Sequence, residues 1–284
     1  MTQLRPFYEN VQAHYDLSND FFALFLDPSM TYSCAYWQRD GMTLEEAQRA
    51  KIDLALGKLD LKPGLRLLDV GCGWGATLRR AVEQYGVRAV GLTLSRNQAD
   101  LARQRVAHLG DRVEVRLQGW EEFDEPVDRI VSIGAFEHFR EERYPAFFSK
   151  CYQLLPAGGR MLLHSIIRTT MADQEASGVL PTHEEILFAK WIHRVIFPGG
   201  QLRPREFILR YAEQVGFRVT QVQALADNYA TTLDAWAENL RAHREEAIAL
   251  TSEEAYETYM HYLTGCAPFF RRGLLNVAQF TCCK

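Results

Sequence analysis

The chain has 284 residues, 47% of them hydrophobic, and a formal net charge of −4. This length suits one large α/β domain or a domain with an insertion, and the slightly negative charge argues against a nucleic-acid partner, which would require a basic face. No segment is long and apolar enough to cross a bilayer, and the N-terminus MTQLRPFYEN has no apolar signal region, so we expect a cytoplasmic protein.

The first sixty residues are predicted to be mostly helical and to form an N-terminal helical cap over about residues 1–60. Within this cap, Thr43 and Glu46 have the spacing of a capping box, which marks the beginning of a helix. One face of that helix is formed by Ile52, Ala55, Leu56 and Leu59.

Strand-like and helix-like segments alternate in the middle of the chain. The strand-like runs lie at 65–70, 87–94, 113–118, 127–135 and 160–167. The helix-like segments between them lie at 77–85, 96–108 and 142–154. Such alternation predicts a parallel sheet wrapped by helices.

This alternation stops near residue 170. Residues 170–214 are predicted to be largely helical, as an insertion over about 168–215 that forms a lid or a substrate pocket. A sixth strand follows from Phe217 to Leu225, then a helical stretch over about 230–272. Asn276 to Cys283 completes a sheet of seven strands.

The insertion contains a segment, Ile186 to Phe197, that is apolar nearly all round and ends at Pro198-Gly199-Gly200. A helix of this kind is normally buried on several sides, in the core or at a subunit interface. Alternatively, one of its sides lines an apolar substrate channel. The sequence leaves both interpretations open.

Residues 65–75, LRLLDVGCGWG, are the most informative segment of the chain. An apolar strand leads into Asp69, and glycines then occupy every second position before a helix. Glycines there let the backbone turn sharply and approach a ligand closely, as in Rossmann-type nucleotide sites. A dinucleotide site is one alternative, but no acid follows about 20 residues later, where such a site holds the ribose. The pattern D-x-G-x-G-x-G resembles motif I of methyltransferases that use S-adenosyl-L-methionine (SAM).

Longer blocks extend this resemblance over the chain from about Val11 to the C-terminus. They include VQAHYDLSNDFF, LFLDPSMTYSCAYW, LLDVGCGWGAT, VGLTLSRNQ, GWEEFDEPVDRIVSIGAFEHF, IFPGGQL and YATTLDAW. In this order they are similar to the cyclopropane fatty acid synthase family, and most of all to its mycobacterial mycolic acid cyclopropane synthases. The resemblance implies a Rossmann-like, seven-stranded SAM-dependent methyltransferase sheet with N-terminal helices and a helical insertion, in a single domain over 1–284.

The resemblance also implies a SAM site. The aligned positions from the glycine loop are Asp69, Gly71, Cys72 and Gly73. Those after the second strand are Thr93, Leu94 and Gln98, and Gln98 is expected to hold the ribose. Trp120 is expected to stack on the adenine and Glu121 to accept from its amine. Tyr32 and Ser33 match contacts near the methionine end.

The implied reaction transfers a methylene group from SAM to a cis double bond of a long acyl chain. A carbocation forms, and ring closure then requires the loss of one proton. Members of the family hold a bicarbonate ion as the base. The matching contacts here are Cys34, Glu137, His164, Tyr229 and Cys266. A buried anion beside Glu137 requires surrounding donors or a shared proton, so we expect Glu137 to orient the base rather than act as it.

The sequence defines the product and the substrate less closely than it defines the SAM site. Gly134, in the SIGAFEHF block, is typical of ring-forming relatives, whereas hydroxylating relatives carry an acid there. The alternatives are a methyl-branched or hydroxylated lipid, methylation of a small molecule, or a non-catalytic module that binds SAM or lipid. We expect Tyr229, Phe269 and Phe270 to line the pocket near the alkene. An acyl carrier protein or a membrane surface, with peripheral association, is expected to deliver the chain, and the oligomeric state stays open.

No metal site is predicted. His138 lies beside Glu137, but no H-x-H or H-x-x-x-H spacing supports a metal pair. The six cysteines show no C-x-x-C pair, which favours free thiols in a reducing compartment. The cysteines expected to be inert buried side chains are Cys72, Cys151, Cys282 and Cys283.

Overall fold

A computed structural model describes residues 4–6 and 18–284. Seven strands in this part of the chain form one sheet, in the order β3-β2-β1-β4-β5-β7-β6. The strands are β1 (Arg66–Val70), β2 (Arg88–Thr93), β3 (Val113–Leu117), β4 (Arg129–Ile133), β5 (Arg160–Arg168), β6 (Arg218–Ala224) and β7 (Leu275–Cys283). Each begins and ends within two residues of its predicted limits. β7 runs antiparallel to both β5 and β6, and the remaining neighbours are parallel.

The helices that precede and cover this sheet follow the predicted order. They are α1 (Asn19–Ala23), α2 (Leu44–Gly57), α3 (Ala76–Tyr85), α4 (Arg96–Val106), α5 (Tyr144–Leu154), α6 (Met171–Ser177), α7 (His183–Val195), α8 (Arg205–Gln214), α9 (Ala226–Ala242), α10 (Arg244–Leu250) and α11 (Glu253–Arg271). The predicted stretch 230–272 is thus three helices. None of the described helices is long and apolar enough to cross a membrane.

Three groups of buried side chains hold the molecule together. Residues of α2, α3 and α4 pack with Leu67 and Ala89 of the sheet, and residues of α5 and α8 pack with Ile130 and Phe280. The third group joins α1, α9, α10 and α11 to the segment around Cys34. In this third group, the helices added to the sheet pack against residues near the two ends of the chain.

The N-terminal prediction is only partly correct. The capping box at Thr43 is present, with both of its hydrogen bonds, and it begins α2. Residues 24–43, however, are mainly turns and irregular backbone, so the expectation of a mostly helical segment is wrong there. Four turn-forming or polar residues, Asp27-Pro28-Ser29 and Ser33, interrupt this stretch, and Asp27 bonds to the backbone N–H groups of Ser29 and Thr31. The predictions for residues 1–3 and 7–17, including the start of the cap, lie outside the described residues.

The interpretation that the insertion helix packs in the core of the chain is also wrong. No residue of α7 is buried, and Ile186, Leu187 and Val195 are 41%, 51% and 41% exposed. The helix begins at a capping box on Thr182 and ends just before Pro198. Its hydrophobicity is explained instead by the cavity that one side of it lines, which is described below.

Candidate functional site

The glycine loop leaves β1 and turns back on itself before α3 begins. Gly71, Gly73 and Gly75 all have positive φ, at 84°, 54° and 86°. A Cβ on Gly71 would lie 2.4 Å from the Cβ of Ala135, whereas one on Gly73 would meet nothing within 4 Å. The loop is therefore tightly packed at its first glycine and open at its second, where a ligand has room to approach.

A cavity opens along this loop, and we call it the glycine-loop cavity. Its walls come from the glycine loop, the ends of β2 and β4, the turn before Trp120 and the irregular segment before α2. All eleven predicted cofactor residues line it: Tyr32, Ser33, Asp69, Gly71, Cys72, Gly73, Thr93, Leu94, Gln98, Trp120 and Glu121. The structure thus brings together positions that are up to 89 residues apart in sequence.

Asp69 is the buried acid of this cavity. Its side chain is 2% exposed, and its Oδ2 atom has no hydrogen-bond partner among the described residues. Burial raises the pKa of its carboxyl from 3.8 to about 7, and the charge of Lys51 acts in the opposite direction. An unpartnered buried carboxylate oxygen is costly unless a ligand donates to it, so Asp69 is suited to an ammonium group.

Lys51 is a cavity residue that the sequence reasoning missed. It is completely buried, and its Nζ donates to Ser33 Oγ at 2.6 Å. Burial lowers the pKa of its ammonium group to about 8. The sequence did carry a signal, because Lys51 lies four residues from both Ala47 and Ala55 on the buried face of α2. A lysine at such a position is expected to have an acidic or polar partner.

The turn after β2 orients the side chain of Gln98. Thr93 Oγ1 accepts from the Ser95 N–H at 3.2 Å and donates to Gln98 Oε1 at 2.8 Å. Since the amide oxygen of Gln98 is engaged, its Nε2 group is the one available to a ligand. This arrangement suits recognition of a hydroxyl group, which accepts as well as donates.

Trp120 and Glu121 form the far wall of the cavity. The Trp120 indole also packs against Phe139 and Phe147, with ring centroids 5.7 and 5.3 Å away, so it serves the core as well. Glu121 Oε1 accepts from Arg143 at 2.7 Å, although burial is the largest effect on its carboxyl and raises the pKa. Glu121 is therefore held in place by an ion pair beside an aromatic face.

A second cavity, which we call the apolar cavity, lies next to the first. It is lined by all five predicted catalytic residues: Cys34, Glu137, His164, Tyr229 and Cys266. The expected wall residues Phe269 and Phe270 are also there, and α7 contributes Phe188, Ala189 and Ile192. The interpretation of α7 as a cavity wall is thus the one that fits the structure.

Glu137 is the carboxylate of the apolar cavity. It lies in a short 3₁₀ turn after β4, where its Oε1 accepts from the Ile166 N–H at 2.7 Å and its Oε2 has no partner among the described residues. Burial raises the pKa of its carboxyl to about 6. Its carbonyl also accepts from the Gln201 N–H at 2.8 Å, which ties the end of the insertion to the site.

The two thiols and the imidazole of the predicted base site are neutral near pH 7. Burial raises the pKa of the Cys266 thiol to about 12, raises that of Cys34 still further, and lowers the pKa of His164 well below 6.5. His164 lies in the middle of its strand, since β5 continues for four residues beyond it. His164 does pair with Ile133, the last residue of β4, so it is level with that strand's end.

The two cavities share part of their walls: Tyr32, Ser33, Gly134 and His138 line both. His138 was considered in the sequence only as a metal ligand, yet here burial lowers its pKa to about 4. Tyr262 is another residue that the sequence reasoning missed, and it lines the apolar cavity with its hydroxyl 3.2 Å from that of Tyr32. A ligand bound at the glycine loop can therefore contact a ligand bound in the apolar cavity.

Known proteins resemble the chain over its length. The family model for mycolic acid cyclopropane synthetase matches residues 2–280. Cyclopropane mycolic acid synthase 3 of Mycobacterium tuberculosis is 58% identical over 285 residues, with 98% of each chain covered. The S-adenosylmethionine-dependent methyltransferase UmaA of the same organism is 56% identical over 286 residues, with 100% of each chain covered.

A solved structure shows the same architecture. The crystal structure of mycolic acid cyclopropane synthase CmaA1, complexed with SAH and CTAB, has a TM-score of 0.96 and 59% identity, with 99% of each chain covered. This similarity confirms the predicted seven-stranded methyltransferase sheet.

Proposed function

Since the chain belongs to the mycolic acid cyclopropane synthetase family, and with it to the SAM-dependent methyltransferases, we propose that it forms a cyclopropane at a cis double bond of a long, mycolic acid-type acyl chain. The observation that carries this proposal is the shared wall between a polar glycine-loop cavity and an apolar cavity. A polar methyl donor and an apolar acceptor need adjoining sites of these two kinds.

SAM fits the glycine-loop cavity. The unpartnered Oδ2 of Asp69 suits the ammonium group of SAM, and Nε2 of Gln98 suits a ribose hydroxyl. The open space at Gly73 lets the ligand lie close to the backbone of the loop. Trp120 offers an aromatic face for the adenine. When bound, SAM supplies a methyl group on a positively charged sulfur, which a weakly nucleophilic alkene is able to attack.

The apolar cavity suits the cationic intermediate that follows. The rings of Tyr229 and Phe270 lie 4.7 Å apart, centroid to centroid, and aromatic faces stabilise positive charge. Most of the surface that lines the cavity is apolar, which disfavours the entry of water that would capture the cation. Gly134 has a φ of 69° and places no side chain between the two cavities, in keeping with ring formation rather than hydroxylation.

We propose bicarbonate as the base that removes the last proton, held by Cys34, Glu137, His164, Tyr229 and Cys266. Two neutral thiols, a neutral imidazole and a phenol are donors that stabilise a buried anion without a cation. Glu137 orients that anion through a shared proton. Burial already raises the pKa of its carboxyl to about 6, a neighbouring anion raises it further, and its Oε2 has no partner among the described residues. A carboxylic acid group there donates to the ion instead of repelling it.

The proposed substrate is a long acyl chain, because the lining of the apolar cavity is mostly apolar and favours an apolar ligand. CTAB, which is present in the CmaA1 structure, also carries a long alkyl chain. Such a chain is insoluble, so we propose delivery by an acyl carrier protein or from a membrane surface. The exposed apolar residues of the insertion, Met171, Leu180, Ile186 and Leu187, lie in the same segment as the α7 wall of the cavity.

A reconstituted assay tests the proposal. The enzyme is given methyl-labelled SAM, bicarbonate and carrier-bound acyl chains that are cis-unsaturated, trans-unsaturated or saturated. We expect the label in a cyclopropane methylene, identified by NMR, with little product from trans or saturated chains. NMR is needed because ring formation and methyl branching with proton loss add the same mass. Equal methylation of saturated chains or of small amines and hydroxyls would contradict the lipid assignment.

A further inference from the structure

Three polar side chains form a row across neighbouring strands of the sheet, beside the apolar cavity. His164 on β5 pairs in register with Gln279 on β7, which pairs in register with Gln223 on β6. Lys58, at the end of α2, donates from Nζ to Oε1 of Gln279 and to Oε1 of Gln223, at 2.6 Å each. Nε2 of Gln279 lies 3.3 Å from Nδ1 of His164. Only His164 of these four residues lines the cavity.

The chemistry of the lysine determines the direction of every bond in this chain. An ammonium group only donates, so the Gln279 atom that faces Lys58 is the amide oxygen. The amide NH₂ group therefore faces His164 and can only donate to it. Nδ1 of His164 must then accept, and a neutral imidazole that accepts at Nδ1 carries its hydrogen on Nε2.

We propose that Lys58 and Gln279 are positioning residues that hold His164 as the Nε2–H tautomer, so that the apolar cavity receives a hydrogen-bond donor from this side. The use of that donor rests on the proposed function, since a bicarbonate ion in the cavity needs donors. Burial keeps His164 uncharged, as described above. A neutral imidazole with the opposite tautomer would present a lone pair to the anion and repel it.

The surroundings of Gln279 favour this role over simple packing. Gln279 is completely buried in the centre of the antiparallel part of the sheet, between Ala278 and Phe280. An apolar side chain would fill such a position without a hydrogen-bonding requirement. Gln223 accepts from the same lysine but pairs with Gln279 rather than with His164, which makes it a matched control.

Nitrogen NMR of the histidine side chains in the full-length, ligand-free protein tests the tautomer directly. The chain has eight histidines, and the signal that is lost in His164→Gln identifies residue 164. We expect the wild-type shifts of an Nε2–H imidazole. In Gln279→Glu, a carboxylate can only accept, so the hydrogen should move to Nδ1. In Lys58→Met, the amide is free to turn over, and we expect a mixed population.

Gln223→Met should leave the tautomer unchanged. A wild-type Nδ1–H form, or an unchanged Nε2–H form in both Gln279→Glu and Lys58→Met, would overturn the proposal. The wild-type tautomer is read in the unaltered protein, and His164→Gln serves only to assign its signal. In the cyclopropane assay, Gln279→Glu should lower kcat by at least about 10-fold with little change in the KM for SAM, as expected for a histidine held in the wrong tautomer. Failure of the wild-type enzyme to form cyclopropane would refute the proposed function while leaving the tautomer result intact.

Discussion

The two cavities are built in different ways. Most of the glycine-loop cavity comes from β1, β2, β4 and the turns that follow them, and its polar groups include the ionisable Asp69 and Lys51. The apolar cavity gathers Cys34 and Cys266 from opposite ends of the chain, and α7 covers one side of it. The first cavity is formed mainly by the sheet and the turns after its strands, whereas the second also requires α7, α9 and α11 to close over the sheet.

This difference has a consequence for mutation. A change in the glycine loop should affect ligand binding at one place and leave the apolar cavity intact. A change in the apolar cavity should affect the chemical step, because its polar groups surround the position where charge develops. Substitutions in the two cavities should therefore separate SAM affinity from turnover.

The largest effect is expected from Gly73→Val. A valine side chain would occupy the open space before the loop, and the positive φ of 54° is unfavourable for a branched residue. Binding of S-adenosylhomocysteine, measured by calorimetry, should fall by at least about 100-fold, equivalent to about 3 kcal/mol. The wild-type protein should bind this ligand and not NAD.

Gly64→Val is the matched control for backbone strain. Gly64 also has a positive φ, 84°, and open space around its Cβ position, but it is exposed and does not line the cavity. We expect this variant to lose some stability and to keep its affinity. Equal loss of binding in both variants would attribute the effect to strain rather than to the ligand site.

Glu137→Gln should affect turnover and not SAM affinity. The substitution keeps the size of the side chain and removes the carboxyl that orients the proposed base. Turnover should fall by at least about 100-fold, as is typical of a positioned acid–base group. Affinity for S-adenosylhomocysteine should change by less than about 2-fold. Near-normal turnover would contradict the role proposed for Glu137.

A smaller effect on affinity is expected from Lys51→Met. Removing this buried charge removes the influence that lowers the Asp69 pKa, so that carboxyl should titrate above its present value of about 7. Affinity for S-adenosylhomocysteine should fall several-fold at pH 7, because a smaller fraction of the Asp69 carboxyl is ionised there. The loss should shrink as the pH is raised and Asp69 ionises. A pH-independent loss would mean that Lys51 acts only by packing.

The sequence predicted the sheet well because each strand is a short apolar run bounded by turns, and local pattern is enough for that. The glycine loop could likewise be read from one segment. The five residues of the apolar cavity were assigned from the family resemblance, since spacing alone gives no reason to join Cys34 to Cys266. The structure places them around one cavity, and their roles remain predictions.

The structural features that the sequence did not predict depend on contacts between residues that are far apart along the chain. The α7 segment is apolar nearly all round, yet whether it faces the core or a cavity depends on α11, which begins 58 residues after the last residue of α7. The Lys58–Gln279–His164 chain spans three elements and has no motif of its own. The helical prediction fails for residues 24–43 because the Asp27 side chain bonds to the backbone of its own turn, which a hydrophobic pattern does not reveal.

The last expected effect concerns stability alone, as a gain in Glu137→Gln. The pKa of Glu137 is raised from 4.5 to about 6 in the folded protein, so the folded state binds more protons than the unfolded state between these values. Stability is therefore lost as the pH rises through this window, by about 2 kcal/mol above pH 6. Glutamine carries no such cost, and its amide oxygen can still accept from the Ile166 N–H. Urea denaturation at pH 8 should show that the variant is more stable than the wild-type protein, and the gain should be smaller at pH 5. A gain in stability that does not depend on pH would show that the buried charge of Glu137 is not the cause of the gain.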